Sequence, residues 1–248
     1  YNPIKLGVIA STDTHVSNPG NVKESDWAGS VVGEGTPVER LQKGILTSGI
    51  DGNPGGLAGI WAEQNTRDSI FNALLRKEVF GTSGPRIRPR FFAGWNINEN
   101  LCNVNEMISD AYASGVPMGG DLMPFRSKSF PKFLMQAAKD PEGLNIESIQ
   151  LVKGWIDEEG NMNTKVIPVL SEIGGAESLC KVYRDTEFEN SLRSYYYMRV
   201  VEPESPRWHT YDCERLSEDD RPAVCTNETY PSFIREMAWT SPIWYRPE

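Results

Sequence analysis

The first 78 residues alternate two uninterrupted apolar runs with two helix-like patterns. Residues 6–10 and 56–62 are short continuous apolar runs, which are typical of strands buried on both faces of a parallel sheet. The Thr-Pro-Val-Glu sequence at 36–39 has the residues of a helix start, with threonine as the N-cap. A second helix is predicted after residue 66, and its apolar positions share one face: Ile70, Phe71, Leu74 and Leu75. The order strand, helix, strand, helix indicates an α/β fold for this part.

Beyond residue 84 the pattern changes to extended segments, and we place a domain boundary there, between residues 1–84 and 85–248. One more helix is predicted around residues 104–111, ended by Gly115 and Pro117. The remaining strand-length apolar runs are 133–138, 149–156, 166–170, 179–183 and 195–201, with residues 157–161 as a hairpin loop. Their spacing and the Pro/Gly punctuation favour an antiparallel β-sandwich.

Composition excludes two classes of partner. The chain has 248 residues, and 25 Lys+Arg against 34 Asp+Glu give a formal charge of -9. No basic run can neutralise a row of phosphates, so we expect no nucleic acid partner. No apolar stretch approaches the roughly 18 residues of a membrane helix, so we expect no membrane span. The chain starts at Tyr1 without a charged-then-apolar leader, so no signal peptide is expected within it.

The four cysteines carry a hint about location. Cys102, Cys180, Cys213 and Cys225 lack any CxxC spacing, so a structural zinc site of thiolates is not expected. Cys213 and Cys225 flank a polar, proline-containing loop, which suits a disulfide, and two buried free thiols are an equally consistent reading. The disulfide favours a periplasmic or secreted protein, and the thiols a cytoplasmic one.

Asp13-Thr14-His15 directly follows the first apolar run. Alternate residues of a strand point to the same side, so Asp13 and His15 are expected to converge at the end of the sheet where α/β folds bind ligands. A carboxylate and an imidazole suit a divalent metal such as zinc, manganese or iron. The alternative is that Asp13 caps a turn and His15 hydrogen-bonds at the surface. A metal that activates water usually has three or more protein ligands, so the others must come from sequence outside this chain.

Six blocks in order along the chain carry a family resemblance. They are GVIASTDTH at 7–15, WAEQNTR at 61–67, GTSGPRI at 81–87, VPMGGDL at 116–122, VKGW at 152–155 and AWTSPIW at 238–244. Together they resemble the carboxy-terminal portion of a bacterial family of domains of unknown function. That family is similar to the PHP (polymerase and histidinol phosphatase) superfamily of metal-dependent phosphoesterases.

The resemblance implies a distorted (β/α)7 barrel that holds two or three divalent metal ions (Mn, Zn or Fe). An Asp-x-His pair at the end of a late barrel strand matches Asp13 and His15. The early His-x-His motif and the other ligands of that superfamily have no counterpart in these residues. The chain therefore resembles the last units of such a barrel followed by an antiparallel β-sandwich-like domain. We expect it to need an amino-terminal barrel segment as its partner and to be inactive alone.

Three further side chains are candidates for binding a small anionic ester substrate. Glu63 and Arg67 lie where the second predicted strand gives way to its helix, so either can reach the substrate or a metal-bound water. The alternative is that Glu63 interacts with the helix terminus and Arg67 with solvent. Arg86 forms a positive stripe with Arg88 and Arg90 that can clamp a phosphate or carboxylate, and a solvated face is the alternative.

Two functions from different classes follow. The first is part of a metal-dependent hydrolase, a phosphoesterase that acts through a metal-activated water. The second is a non-catalytic β-rich module that binds carbohydrate or protein. Aromatic residues could supply its stacking surfaces, although core packing is their default role: Tyr195, Tyr196, Tyr197, Trp208, Tyr211, Trp239, Trp244 and Tyr245.

Overall fold

A computed structural model describes residues 4–45, 48–125 and 129–247 of the chain. These residues form twelve strands and four α-helices, with four short 3-10 helices between them. The strands are β1 (Leu57–Ile60), β2 (Val79–Thr82), β3 (Arg88–Gly94), β4 (Val116–Pro117), β5 (Asp121–Leu122), β6 (Lys132–Ala138), β7 (Ile146–Ile156), β8 (Met162–Ala176), β9 (Ser178–Arg184), β10 (Ser194–Pro206), β11 (Phe233–Thr240) and β12 (Ile243–Tyr245). The helices are α1 (Pro37–Arg40), α2 (Arg67–Arg76), α3 (Met107–Ser114) and α4 (Trp208–Arg215).

The larger sheet is organised around the long strand β10. On one edge β10 pairs with β7, which in turn pairs with β8. Its other edge is shared, because β12 pairs with the start of β10 and β11 with the rest. The sheet continues from β11 through β2 to β1, and from β12 to β5. All of these pairs are antiparallel except β12 with β5.

The smaller sheet has the order β4-β3-β6-β9 and is antiparallel throughout. Its inner face packs on the inner face of the larger sheet, so the two sheets enclose one main apolar core. The rings of Phe133 on β6 and Tyr196 on β10 lie 4.5 Å apart between the sheets, and Phe91 stacks on Phe133 at 5.8 Å. All three side chains are fully buried.

Two smaller clusters lie outside the main core. Helix α3 covers the outer face of the smaller sheet, and there a disulfide joins Cys102 to Cys180 on β9. The other cluster contains Trp27 and Trp208, whose rings are 4.4 Å apart, and it is closed by a disulfide between Cys213 and Cys225. The disulfide alternative for Cys213 and Cys225 is therefore the one that the structure contains.

Most of the local predictions for the second half are confirmed. Each of the five strand-length runs lies within a strand, β6 to β10. The loop 157–161 joins β7 to β8, where Asp157 Oδ1 accepts a hydrogen bond from the Asn161 N–H at 2.7 Å. The predicted third helix is α3, and Gly115 is its C-cap. The helix start at Thr36 is also confirmed, with the capping box between Thr36 and Glu39, but α1 spans only four residues.

The predicted (β/α)7 barrel is wrong. The described residues form two sheets and a mostly β fold, with no closed barrel of parallel strands. Residues 6–10 form no strand, and Leu6 and Ile9 are 65% and 56% exposed. The run at 56–62 contains β1, but β1 is an edge strand antiparallel to β2. The barrel was implied by the resemblance alone, and the parallel sheet by the apolar runs, whose pattern does not specify strand direction.

Helix α2 occurs where it was predicted, but its apolar face is open. Phe71, Leu74 and Leu75 are 58%, 42% and 63% exposed, and Ala73 is the buried residue of the helix. The proposed boundary at residue 84 stays a prediction. β1 and β2, before it, are hydrogen-bonded into the sheet that also contains β10 and β11, after it. Within the described part of the chain, no helix is long and apolar enough to cross a membrane.

Candidate functional site

Asp13 and His15 lie on a turn, and both side chains are exposed. Asp13 has φ 51°, a left-handed conformation, and residues 6–12 before it form neither helix nor strand. The convergence of alternate side chains expected for a strand therefore does not arise from strand geometry here. Around them, the described residues contain no group of three or more His, Cys, Asp or Glu side chains that could hold a metal ion.

The turn is fixed by its backbone. The N–H of His15 donates to the Ser30 carbonyl at 2.7 Å, and the N–H of Ser30 donates to Glu34 Oε2 at 2.6 Å. Glu34 is 5% exposed, and its carboxylate also accepts from the N–H groups of Val31 and Gly49. A buried carboxylate that collects several backbone donors orders the whole loop. Glu34 thereby positions the loop segment that carries His15.

The segment before the turn lies against the edge of the larger sheet. The Val8 N–H donates to Ser241 Oγ at 2.9 Å, and Ser241 Oγ donates to the Val79 carbonyl at 2.6 Å. The N–H of Gly56 donates to the Ser11 carbonyl at 2.9 Å. A Cβ at Gly56 would lie 2.0 Å from the Thr82 carbonyl oxygen, so glycine is required for this close approach. Three of the six sequence blocks, 7–15, 81–87 and 238–244, therefore meet here.

Between the two candidate ligands, Thr14 has a buried hydroxyl. Its Oγ1 has no hydrogen-bond partner among the described residues. The Thr14 N–H contacts Thr12 Oγ1 at 3.3 Å, which further tightens the turn. A buried hydroxyl without a partner is uncommon in folded proteins, and this one lies in the middle of the Asp-Thr-His sequence.

Glu63 and Arg67 are both exposed and lie at the amino-terminal end of α2. Thr66 caps that helix, accepting from the Ser69 N–H at 3.3 Å. The side chains of Glu63 and Arg67 form no hydrogen bond or ion pair with any described residue. Both charged groups are therefore available, and whether Glu63 acts on a substrate or on the helix terminus stays a prediction.

The three arginines of the predicted stripe differ in what their side chains contact. The side chain of Arg86 is exposed, while its N–H donates to Asp140 Oδ2 at 2.8 Å. Arg88 is also exposed, but the Arg90 guanidinium lies 3.3 Å from the centroid of the Trp61 ring. Burial lowers the pKa of Arg90, against the opposite influence of Tyr112. The guanidinium groups of Arg86 and Arg88 are thus exposed and can bind an anion, whereas that of Arg90 packs against the Trp61 ring.

Four carboxyl groups, which we call the acidic cluster, gather where β10 meets β11: Glu24, Asp140, Glu202 and Glu236. Glu202 and Glu236 are 1% and 6% exposed. The pairing shifts between Val201 and Glu204, so the two β10 residues 202 and 203 oppose Glu236 alone. This is the two-against-one arrangement of a β-bulge, a feature that often re-aims side chains.

The three glutamates of the acidic cluster bind protons more tightly than ordinary glutamates do. Burial, followed by the nearby Glu236 and Asp140 carboxylates, raises the pKa of Glu202 to about 7. Burial also raises the pKa of Glu24 to about 7 and that of Glu236 above its ordinary value. Burial opposes ionisation of Asp140 as well, but N–H donors from Arg86 and Glu142 lower its pKa overall.

The hydrogen bonds of the acidic cluster are unequal. Glu236 accepts from the Ser83 hydroxyl, and Glu24 accepts from the Trp208 N–H at 2.6 Å. Glu202 Oε1 is buried without a partner among the described residues. The second histidine, His209, is a structural residue, with Nδ1 3.1 Å from the Arg207 guanidinium and a pKa lowered to about 4 by burial and that charge.

Comparison with known proteins identifies the family. The family described as Protein of unknown function (DUF3604) matches residues 1–173 and 169–247. The chain belongs to the DUF3604 family. No curated protein and no solved structure matches it.

The acidic cluster of this DUF3604 chain escaped the sequence reasoning. Glu202 and Glu236 are 34 positions apart, and the register of β10 against β11 brings them together at the bulge. One sequence signal exists, because Glu202 interrupts the apolar side of the run at 195–201 and its continuation. A glutamate on the inner face of a strand indicates a buried carboxyl group.

Proposed function

We propose that this DUF3604 chain supplies Asp13 and His15 as two ligands of a divalent-metal site in a hydrolase that acts on phosphoesters. The observation that carries the proposal is that both side chains are exposed on one turn, whose backbone is held through Ser30 by the buried Glu34. The resemblance of the six sequence blocks to PHP phosphoesterases supports the same chemistry.

The side chains of Asp13 and His15 are of types that bind manganese, zinc or iron. Carboxylate and imidazole are both ligands of these ions, and the orphan hydroxyl of Thr14 adds a third oxygen to the turn. Two or three ions, as the resemblance implies, need more donors than this turn contains. The remaining ligands come from polypeptide other than the described residues.

The other residues of the chain have simpler tasks. Bound metal ions of this kind lower the pKa of a coordinated water and offset charge that develops on a phosphoryl centre. Glu34 orients the His15 backbone, so that the imidazole is presented outward. The exposed guanidinium groups of Arg67, which has no acidic partner among the described residues, and of Arg86, whose charge also acts on Asp140, can pair with the oxygens of a small anionic ester. Glu63 can accept a proton from a water or an alcohol.

The location that we propose for this activity is the periplasm or the cell exterior. Two disulfides, Cys102–Cys180 and Cys213–Cys225, support it. Disulfides form and persist in oxidising compartments and are rare in the cytosol.

The test uses the intact natural protein. Elemental analysis is expected to find about two or three equivalents of Mn, Zn or Fe, with hydrolysis of p-nitrophenyl phosphate or bis(p-nitrophenyl) phosphate that a chelator stops. Asp13→Ala and His15→Ala are each expected to lower the metal content and abolish that hydrolysis. Asp219→Ala, at an exposed aspartate of a 3-10 helix, is the matched control. Wild-type turnover in both variants would refute the proposal.

A second candidate function is a binding module for carbohydrate or protein. Tyr195, Tyr197 and Trp244 lie on the outer face of the larger sheet, because their neighbours Tyr196, Ile243 and Tyr245 point into the core. The Tyr195 and Tyr197 rings are nearly parallel with centroids 6.5 Å apart, and the Trp244 ring lies 5.3 Å from that of Tyr195. The indole N–H of Trp244 is buried and has no acceptor among the described residues. We call these three residues the outer aromatic row.

The module is tested by binding without catalysis. Retention of the chain on immobilised glycans, lost in Trp244→Ala and unaffected by Asp13→Ala, would favour the module. Retention that depends on Asp13 instead, or none at all, would count against it.

A further inference from the structure

An open cavity lies at one end of the sandwich, on the inner side of the larger sheet. Its volume is about 140 Å³, below the range of most small-molecule sites, and its mouth is open to solvent. Trp155 of β7 and Ser194 of β10, which are partners across the strand pair, form its floor, and the loop between β9 and β10 closes one side. The lining residues are Lys153, Trp155, Lys165, Glu187, Phe188, Glu189, Leu192 and Ser194.

A buried ammonium group forms the back of this cavity. Lys153 is 6% exposed, and its Nζ donates to Asp185 Oδ2 at 2.8 Å and to the Glu187 carbonyl at 2.9 Å. Asp185, 1% exposed, also accepts from the Tyr196 hydroxyl at 2.8 Å. An ammonium group has three protons, so one donor of Lys153 remains after these two bonds. Lys153 and Asp185 are therefore already paired, and Lys153 still has one N–H that can donate to a ligand.

A second polar group in the cavity is unused. Ser194 is 6% exposed, and its hydroxyl has no hydrogen-bond partner of good geometry, although it lies close to the phenol of Tyr196. Buried hydroxyl groups in folded proteins are nearly always satisfied. The Ser194 hydroxyl can both donate and accept, and because its oxygen is buried, a ligand hydroxyl reaches it once the side chain turns toward the cavity.

The charges around the cavity select a neutral ligand. Lys165 pairs with Glu187, Lys153 pairs with Asp185, and the Glu189 carboxylate is exposed without a partner among the described side chains. A phosphate would meet two carboxylates, and a metal cation would meet two ammonium groups, so neither is favoured. Trp155 and Phe188 add apolar ring surface beside these polar groups.

We propose that this cavity binds one sugar ring of a carbohydrate, with its hydroxyl groups on Ser194, Lys153 and Glu189 and its apolar face on Trp155. Sugar hydroxyls donate and accept at once, which matches a wall with both kinds of group. The ring's C–H face suits the indole surface. The site lies on the opposite side of the sheet from the outer aromatic row and uses neither Asp13 nor His15. It therefore stands independently of the hydrolase proposal.

The test is saturation-transfer NMR of the chain with glucose, galactose, mannose and N-acetylglucosamine, followed by calorimetric titration of those that respond. At least one sugar is expected to bind with a millimolar dissociation constant. Trp155→Ala is expected to weaken it about tenfold or more, and Ser194→Ala several-fold. Thermal melting and far-UV circular dichroism check that both variants fold. Lys153 is not substituted, because its loss would leave the buried Asp185 carboxylate without its ion-pair partner.

Two controls make the result decisive. Phe71→Ala removes an exposed aromatic side chain of α2, which belongs neither to the cavity nor to the outer aromatic row, and is expected to leave sugar binding unchanged. Inorganic phosphate, titrated in the same way, is expected not to bind. The proposal is overturned if none of the four sugars binds, if binding is lost in Trp244→Ala but kept in Ser194→Ala, or if phosphate competes with the sugar.

Discussion

Glu202 and Glu236 face each other across a β-bulge between β10 and β11, with 1% and 6% of their surfaces exposed. Two carboxylates in a buried site cannot both ionise without strong repulsion, so the pair holds a proton more tightly than isolated glutamates do. Ser83 supports Glu236, whereas Glu202 Oε1 has no partner among the described residues. The pair is therefore the least favourable place in the described core for a negative charge.

The acidic cluster makes stability depend on pH. The folded-state pKa values of Glu24 and Glu202, about 7, are above the ordinary 4.5. The stability that they contribute is fully present below about pH 4.5 and is lost as pH rises through about 7. His209 acts in the opposite sense, because its folded-state pKa of about 4 is below its ordinary 6.5, so it adds stability as pH rises to about 6.5. The carboxyl groups outweigh it, and we expect a net fall of about 2 kcal/mol in the free energy of unfolding in urea between about pH 5 and pH 8. Asp140 and Asp157 have lowered pKa values and so do not titrate in this window.

Glu202→Gln isolates the source of that dependence. The amide cannot ionise and can donate to Glu236, so the variant is expected to be more stable than wild type near pH 8 by about 1 to 2 kcal/mol. Near pH 5 the two proteins should be similar. Glu204→Gln, on the same strand but with a 63% exposed side chain, is the control and should follow the wild-type curve. Superimposable profiles for wild type and Glu202→Gln would contradict this account.

The acidic cluster also shows where sequence reasoning reached its limit. Periodicity finds the strand that contains residues 195–201, because alternate residues there are apolar and buried. It does not find the bulge after Val201, which depends on how β11 aligns with β10. A register shift is a property of the strand pair, so neither strand's sequence predicts it alone.

The site around Asp13 illustrates a different limit. The apolar run at 6–10 predicts a buried strand that brings Asp13 and His15 to the same side, but these residues form no strand, and Asp13 has a left-handed φ. Leu6 and Ile9 of that run are exposed. Apolar character predicts a need for cover, not the element that provides it.

A buried ion pair joins α1 to α4. Arg40 Nε and Nη2 donate to the two carboxylate oxygens of Asp212 at 2.8 and 3.0 Å, and both side chains are almost fully buried. Arg40→Met would leave Asp212 with only the half-exposed Arg215, so we expect a loss of about 3 kcal/mol in urea unfolding. Arg235→Met, which breaks a surface pair with Glu147, should lose less than about 1 kcal/mol. Equal losses in the two variants would show that the buried ion pair stabilises the fold no more than the surface pair does.

The two disulfides close loops of different length. Cys102 and Cys180 are 78 residues apart, whereas Cys213 and Cys225 are 12 apart. A longer closed loop removes more entropy from the unfolded chain, and the logarithmic dependence gives a difference of about 1.5 kcal/mol. The double variant Cys102→Ser with Cys180→Ser should therefore lose more stability than Cys213→Ser with Cys225→Ser, as measured by urea unfolding. The opposite order would show that local packing outweighs loop closure here.

Glu34 offers a test of how His15 is held, within the proposed metal site. Its Oε2 accepts from the Ser30 and Val31 N–H groups, and Ser30 in turn accepts from the N–H of His15. Glu34→Gln turns one acceptor into a donor against those N–H groups, so the loop shifts and His15 loses its fixed position. Residues behind metal ligands typically change metal affinity by about tenfold or more when mutated.

The intact protein carrying Glu34→Gln is therefore expected to bind zinc or manganese about tenfold more weakly by calorimetric titration. Glu39→Gln is the matched control. Glu39 is nearby in sequence and also accepts backbone hydrogen bonds, but it does so in the capping box of α1 rather than at Ser30. Both variants are expected to lose stability through their lost hydrogen bonds, whereas only Glu34→Gln should change the metal affinity. If the two variants bind metal equally well, Glu34 orders its loop without positioning His15.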